Sequence, residues 1–151
     1  MKPSDEFFSG NRYAIFGAAA RGRLQGAVVI EALRKAGKVA VAIEADGYKI
    51  QGAEASRSLA EAWPVDGVVL LPPAPWNDSA AQFIADAVRQ CKEQGITQVW
   101  LYTAGNPSKA VAIMEEAGLE TSKSRCPCLY IPGAGSFHNV HRVILKFFRQ
   151  L

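Results

Sequence analysis

The segment that follows the first apolar run combines small residues with two arginines, a composition that suits phosphate binding. Gly17, Ala18 and Ala19 open this segment, and Arg21 and Arg23 follow within it. A tight turn of small residues lets backbone N–H groups approach a phosphate, and guanidinium groups add charged hydrogen bonds to its oxygens. The sequence therefore predicts a phosphate site here, with a solvated surface loop as the alternative.

Gly26 and Glu44 belong to the two elements that come next along the chain. The stretch 22–26 is a poor helix start, so we expect the helix to begin near Gly26, after a long loop. Glu44 ends the second apolar run, where a carboxylate hydrogen-bonds the ribose diol in NAD-binding domains. Residues 17–22 form a degenerate version of the dinucleotide fingerprint. Glu44 is therefore either a ribose ligand or a solvated strand-end carboxylate.

The sequence Cys126-Pro127-Cys128, with His138 and His141 after it, contains side chains that bind zinc. The spacing matches no usual zinc motif, and we expect the two thiols to point to opposite faces of the segment. We therefore expect no metal. Cys126 is instead either a thiol that lines a ligand pocket or a small buried apolar residue. No nucleophile elbow, triad or carboxylate pair is recognisable, so the sequence names no reaction.

These residues must be positioned by elements that alternate along the whole chain. A fifth strand is expected within 120–131, and four apolar runs predict strands directly: Tyr13–Phe16, Val39–Ile43, Val68–Leu71 and Gln98–Tyr102. A proline-rich turn after the third run leads to Trp76, which is either a rim residue or a platform for an adenine. This alternation predicts an α/β fold, a three-layer Rossmann-like arrangement with a parallel sheet of about five strands.

Three helices are predicted from apolar residues that recur at three- and four-residue steps. One spans residues 80–91, and a second spans 106–118, with Asn106 as N-cap and Pro107 as first helical residue. The third closes the chain with an aromatic-rich face, which we expect to pack on the sheet. That face consists of Val140, Val143, Ile144, Phe147, Phe148 and Leu151.

Composition limits the classes of function. The 151 residues are 49% hydrophobic and 21% charged, which predicts one domain over residues 1–151. The net charge of +3 is small and spread out, which does not indicate nucleic-acid binding but would tolerate a phosphorylated ligand. No stretch approaches the roughly 18 apolar residues of a membrane span, and the first residues do not match a signal peptide. Three cysteines at spacings unlike a disulfide framework also favour a cytoplasmic protein.

Several short motifs occur in the order and at the separations found in one known family. They are Ile15-Phe16-Gly17-Ala18, Leu33-Arg34-Lys35-Ala36-Gly37, Gly52 before Ser58-Leu59, Val65-Asp66, Pro72-Pro73, Val99-Trp100-Leu101, Glu116-Ala117-Gly118 and Arg125-Cys126-Pro127. With these motifs the chain resembles the small stand-alone CoA-binding proteins, whose Rossmann-like fold is shared with the CoA-binding domain of succinyl-CoA synthetase. The resemblance implies ligand contacts from Pro72, Pro73, Gly105 and Cys126.

The resemblance implies a protein that binds CoA or an acyl-CoA in a non-catalytic or regulatory role. Its partner would be a nucleotide-containing small molecule, with no nucleic acid or membrane, and the chain could work as a homo-oligomer or with a partner enzyme. At Ala19, Glu44 and Leu71 the chain departs from the Ser, Asn and Arg that the family usually has. These departures keep two alternatives open: an NAD-type dinucleotide-binding enzyme or enzyme subunit, and a degenerate Rossmann interaction domain without a nucleotide.

Overall fold

The computed structural model describes residues 5–19, 25–73, 75–103, 106–122 and 126–132. Six strands form the sheet: β1 (Arg12–Phe16), β2 (Val39–Ile43), β3 (Glu54–Ser56), β4 (Gly67–Leu70), β5 (Gln98–Leu101) and β6 (Glu120–Thr121). Their spatial order is β3-β2-β1-β4-β5-β6, and every neighbouring pair is parallel. The predicted α/β Rossmann-like class is confirmed.

The sheet has one strand more than the five that the sequence predicts. Each of the five expected positions holds a strand; the four strands with predicted ends begin and end within one residue of them, and β6 lies inside the predicted range 120–131. The additional strand, β3, is three residues long and lies at the edge of the sheet, with Glu54 and Ala55 exposed. A short edge strand needs no continuous apolar run, so the pattern that marks buried strands is missing from it.

Four α-helices connect the strands: α1 (Gln25–Lys35), α2 (Leu59–Ala62), α3 (Asp78–Glu93) and α4 (Ser108–Glu116). The predicted apolar stripe of α3 is buried and consists of Ala80, Ile84, Ala87, Val88 and Cys91. The α1 helix begins one residue before Gly26, as expected. In α4, Pro107 is the N-cap rather than the first helical residue, and the Asn106 side chain accepts a hydrogen bond from the Ser108 N–H at 2.9 Å.

The central strands separate two cores because successive side chains point to opposite faces of the sheet. On β1, Ala14 and Phe16 pack into the core that α2, α3 and α4 cover, whereas Tyr13 and Ile15 pack into the core that α1 covers. Both faces are dry, which explains why these strands are apolar throughout. The ends of the strands are therefore the places where polar chemistry can reach solvent.

One sequence prediction concerns residues that the structure does not describe. The closing helix over residues 140–151 lies outside the described residues. For the ranges that are described, no helix has both the length and the apolar character needed to cross a membrane.

Candidate functional site

The carboxyl ends of the strands carry the loops that contain the predicted site residues. From β1 the chain moves outward through β2 and β3, then returns to place β4 on the other side of β1. In open α/β sheets ligands bind in the crevice beside such a reversal of strand order. The loops that follow β1 and β4 begin at Gly17 and Leu71, so the fold places the predicted phosphate segment beside this crevice.

Gly17 joins the loop after β1 to the end of β4. Its φ is +87°, and a Cβ at this position would stand 2.1 Å from the carbonyl oxygen of Leu71. The Leu71 N–H donates to the Phe16 carbonyl at 2.9 Å, which holds the two strand ends together. Glycine alone combines this backbone conformation with so close an approach.

Gly26 brings α1 directly against the same loop. It is buried in the first turn of the helix, and a Cβ here would stand 2.3 Å from the carbonyl oxygen of Ala18. Ala18 is buried as well, whereas Gly17 and Ala19 are partly exposed. Gly26 thus allows α1 to pack closely against the loop after β1. Arg21 and Arg23 lie outside the described residues, so their phosphate contacts remain a prediction.

Glu44 lies against the loop after β1 rather than pointing away into solvent. One of its carboxylate oxygens, Oε1, accepts a hydrogen bond from the Ala19 N–H at 3.1 Å. The Glu44 N–H donates a hydrogen bond to the Ser56 carbonyl at 2.9 Å, and the Glu44 carbonyl accepts one from the Gly47 N–H at 2.9 Å. Burial raises the pKa of Glu44, the Ala19 hydrogen bond opposes this effect, and the nearby charge of Asp46 adds to it.

This contact shows what the loop can do chemically. The Ala19 N–H, one of the groups predicted to bind phosphate, holds an anionic oxygen in this structure. A phosphate or ribose bound at this loop would therefore either contact the Glu44 carboxylate or displace it. The sequence placed Glu44 only at a strand end; its contact with the loop depends on the parallel pairing of β1 and β2.

A pocket of about 230 Å³ lies on the other side of β1, between the ends of β4 and β5. Pro72 is buried and Pro73 is partly exposed, and both line the pocket together with Trp76 and Thr103. The pocket's mixture of apolar rings and polar side chains suits an amide-containing or acyl chain, and its small volume holds only one end of a cofactor. Leu71 is fully buried and packs in the core instead of the crevice.

The start of α4 contributes site residues that sequence reasoning treated as capping residues only. Asn106, Ser108 and Lys109 also line the pocket. The signal was present in the Asn-Pro-Ser-Lys sequence, because a helix N-terminus that carries a lysine and follows a strand is positioned to attract an anion. Gly105, which the resemblance implies as a ligand contact, lies outside the described residues.

The thiols of Cys126 and Cys128 meet, so the expectation that they point to opposite faces is wrong. Cys126 caps a 3₁₀ turn (Pro127–Leu129), so the chain bends between the two cysteines. A hydrogen bond with Cys126, together with burial, raises the pKa of Cys128. The Tyr102 hydroxyl also forms a hydrogen bond with Cys126. Burial is the largest cause of the raised pKa of Tyr102, and the two neighbouring thiols add to the effect. Cys126 is partly exposed, so it is not simply a buried apolar residue.

In the ranges covered by the structure, no three His, Cys, Asp or Glu side chains come together as metal ligands. His138 and His141 lie outside those ranges. The expectation that the chain holds no metal therefore stays a prediction.

Comparisons with known proteins extend these observations. A family model described as a CoA binding domain matches residues 11–132, which include the whole sheet and the loops at its carboxyl edge. No curated protein gives a significant match.

Several solved structures are similar in fold. A conserved hypothetical protein from Pyrococcus furiosus is 21% identical, with 80% of this chain and 98% of that one covered and a TM-score of 0.62. A protein from Thermus thermophilus is 20% identical, with coverages of 88% and 100% and a TM-score of 0.64. A hypothetical protein from Pyrococcus horikoshii OT3 is 19% identical, with coverages of 85% and 89% and a TM-score of 0.58. These identities establish the fold alone.

Proposed function

This chain belongs to the family of CoA-binding domains, and from that premise we propose that it binds coenzyme A or an acyl-CoA at the carboxyl edge of its sheet. The observation that carries the proposal is the family match over residues 11–132. The loop geometry supports it, because the Ala19 N–H already holds an anionic oxygen beside the crevice. We place the diphosphate at this loop, within reach of Arg21 and Arg23.

We place the adenosine on the β2 side of that loop and the pantetheine arm on the β4 and β5 side. Glu44 would then lie near the ribose, whose 3′-phosphate it would repel. The pocket at Pro72, Pro73 and Trp76 would receive the pantetheine or acyl end, with Thr103 and Asn106 as hydrogen-bonding groups. In this arrangement Trp76 contacts the arm, and adenine stacking on Trp76 is the competing prediction.

Tryptophan fluorescence separates these two positions of the ligand. We expect CoA to change the Trp76 signal, and adenosine 3′,5′-bisphosphate, which lacks the arm, to leave it unchanged. A Trp76→Phe variant identifies the contribution of Trp76 against those of Trp63 and Trp100. An equal response to both ligands would place the adenine on Trp76 instead.

An NAD-type dinucleotide is the second candidate, and one contact favours it. Glu44 lies at the end of β2 and reaches the loop after β1, which is the arrangement that recognises a ribose diol in NAD-binding domains. Calorimetry with CoA, acetyl-CoA, NAD, NADP and ATP decides between the candidates. We expect CoA or acetyl-CoA to bind most tightly; preferential binding of NAD would reverse the assignment, and binding of none would leave a domain without a nucleotide.

The role of the arginines is tested by the salt dependence of binding. The double change Arg21→Ala and Arg23→Ala should weaken CoA binding and reduce its dependence on salt, because fewer charged contacts to phosphate remain. Arg89→Ala is the matched control, since this exposed arginine on α3 pairs with Asp86 and Glu93 instead. If the double variant and the control have the same affinity across salt concentrations, the loop is not the phosphate site.

We further propose that CoA binding serves a non-catalytic or regulatory role. The support is the sequence, in which no recognisable set of catalytic residues accompanies the binding motifs. The cytoplasmic location and the homo-oligomer or partner enzyme remain predictions.

A further inference from the structure

Two cysteines separated by one proline lie in contact at the edge where the ligand is proposed to bind. Residues two apart have Cα atoms at most about 7 Å from each other, and a disulfide needs roughly 4.4–6.8 Å. The bend at Pro127 shortens the extended distance, and the two sulfurs are hydrogen-bonded to each other. Formation of a disulfide here therefore needs only local movement.

The surroundings divide the two thiols into an attacking and a resolving one. Cys126 is partly exposed, whereas Cys128 is 7% exposed. The hydrogen bond to Cys126 is the largest cause of the raised pKa of Cys128. Tyr102 also has a raised pKa and forms a hydrogen bond with the same sulfur. Cys128 and Tyr102 therefore remain protonated, and each donates a hydrogen bond to the Cys126 sulfur. These hydrogen bonds favour the thiolate form of Cys126.

We propose that Cys126 and Cys128 form a thiol–disulfide exchange site for the disulfide of a CoA-type thiol, an inference that rests on the proposed function. The Cys126 thiolate attacks one sulfur of the CoA disulfide, a new S–S bond forms, and one CoA leaves as its thiolate and takes up a proton. The Cys128 thiol then loses its proton and attacks the Cys126 sulfur, which releases the second CoA. The protein dithiol is oxidised by two electrons, and one disulfide is reduced to two thiols.

The contacts also explain the order of these two steps. While Cys126 carries a thiolate, its hydrogen bond holds the proton on Cys128. Once Cys126 is in a mixed disulfide, this negative partner is gone, and burial is the main remaining cause that keeps Cys128 protonated. Cys128 can therefore act second but not first.

The position of the thiols in the fold favours a CoA-type substrate over other disulfides. Tyr102 directly follows β5, and its N–H donates to the Leu70 carbonyl at 3.0 Å. Two strand spacings, about 10 Å, separate β1 from β5 along this edge. An extended pantetheine arm covers that distance, so a nucleotide bound at the loop after β1 would bring its sulfur to Cys126.

Intact-protein mass spectrometry tests the exchange on the reduced full chain. CoA disulfide should convert wild type to the Cys126–Cys128 disulfide with release of two CoA thiols. It should stop at a mixed disulfide on Cys126 in Cys128→Ala, and it should not label Cys126→Ser. Cys91 is the internal control, because it is fully buried in α3 and burial raises its pKa to about 12. Peptide mapping should find Cys91 unmodified.

A second reagent separates a failure of this inference from a failure of the proposed function. 2-Hydroxyethyl disulfide has no nucleotide. It should react with Cys126 at about one tenth of the rate of CoA disulfide or more slowly, because binding raises the local concentration of CoA disulfide. If CoA binds in calorimetry but its disulfide does not transfer to Cys126, or if wild type stops at the mixed disulfide, the exchange site is wrong. Equal rates for both reagents, with no calorimetric binding of CoA, would contradict the CoA assignment.

Discussion

Glu44 is the residue at which charge should discriminate most strongly between ligands. Two like charges about 4 Å apart repel by up to about 4 kcal/mol at an effective dielectric near 20, so even a screened contact is worth about tenfold in affinity. Glu44→Gln should therefore strengthen CoA binding, because the ribose of CoA carries a 3′-phosphate. The same change should weaken NAD binding if the carboxylate accepts hydrogen bonds from a ribose diol.

Calorimetry of Glu44→Gln with both ligands measures this difference, and the control is Glu116→Gln on the exposed end of α4. The glutamine can still accept the Ala19 hydrogen bond, so the loop should keep its geometry. If neither ligand responds to the change at Glu44, the carboxylate contacts the loop without contacting the ligand.

The stability of the protein without ligand should also depend on Glu44. Its pKa in the folded state lies above the ordinary value of 4.5, mainly because of burial. A group with a raised folded pKa stabilises the fold below its unfolded pKa and loses that contribution as pH rises through the folded pKa. The free energy of unfolding of Glu44→Gln, relative to that of wild type, should therefore increase as pH rises above about 4.5. Denaturant unfolding at several pH values measures the gain; a constant difference would contradict the burial of this carboxylate.

The residues whose partners are distant in sequence are the ones that sequence reasoning could not place. A strand-end carboxylate such as Glu44 is recognisable as a candidate, but its contact with Ala19 depends on two strands being neighbours. The contact between Cys126 and Cys128 was wrongly excluded, because residues two apart lie on the same face even of an extended segment, and here the chain also begins a 3₁₀ turn at Pro127. A proline following Cys126 was the available signal, since proline favours the first position of a helical turn.

At the scale of elements, the contact between the loop after β1 and the end of β4 makes Gly17 sensitive to any side chain. Gly17→Ala should lower the free energy of unfolding for two reasons: alanine is strained in the left-handed backbone conformation, and its Cβ must displace the Leu71 carbonyl. Gly37→Ala is a matched control, because its φ is +74° and a Cβ there would meet nothing within 4 Å. The control should cost about 1–2 kcal/mol of unfolding free energy, and Gly17→Ala about 2 kcal/mol or more beyond that.

Denaturant unfolding compares the two glycine variants. Equal losses would mean that the loop and β4 are not in close contact. Gly17→Ala should also reduce CoA affinity, since displacement of the loop moves the Ala19 N–H away from the crevice.

Elements buried on both faces were predictable, and those at edges were not. The four apolar runs that became β1, β2, β4 and β5 have dry cores on both sides, which requires unbroken apolar sequence. The α3 stripe was visible because one helix face is buried from Ala80 to Cys91, about three turns. The short β3 and α2 have few buried residues, and α2 is marked mainly by Ser58, whose side chain accepts a hydrogen bond from the Glu61 N–H at 3.1 Å. A single capping residue is a weak signal for a helix of four residues.

For the whole molecule, the distribution of helices between the two faces of the sheet predicts where the end of the chain packs. The helices α2, α3 and α4 contribute to one core. Of the α-helices in the described ranges, α1 alone contributes to the other core, next to Phe8 and Trp100. A doubly wound fold needs helices on both faces. We therefore expect the predicted closing helix, residues 140–151, to pack on the same face as α1.

Phe147 and Phe148 are the side chains with which that helix would bury the largest apolar area. Because truncation of a fully buried phenylalanine removes its transfer free energy and leaves a cavity, Phe147→Ala or Phe148→Ala should cost about 3–5 kcal/mol of unfolding free energy. Gln150→Ala changes a polar residue of the same segment and should stay within about 0.5 kcal/mol of wild type. Thermal and denaturant unfolding of the three variants measure the difference. Melting temperatures that match wild type in both phenylalanine variants would mean that this segment does not close the α1 face, and that the second core is completed by other residues.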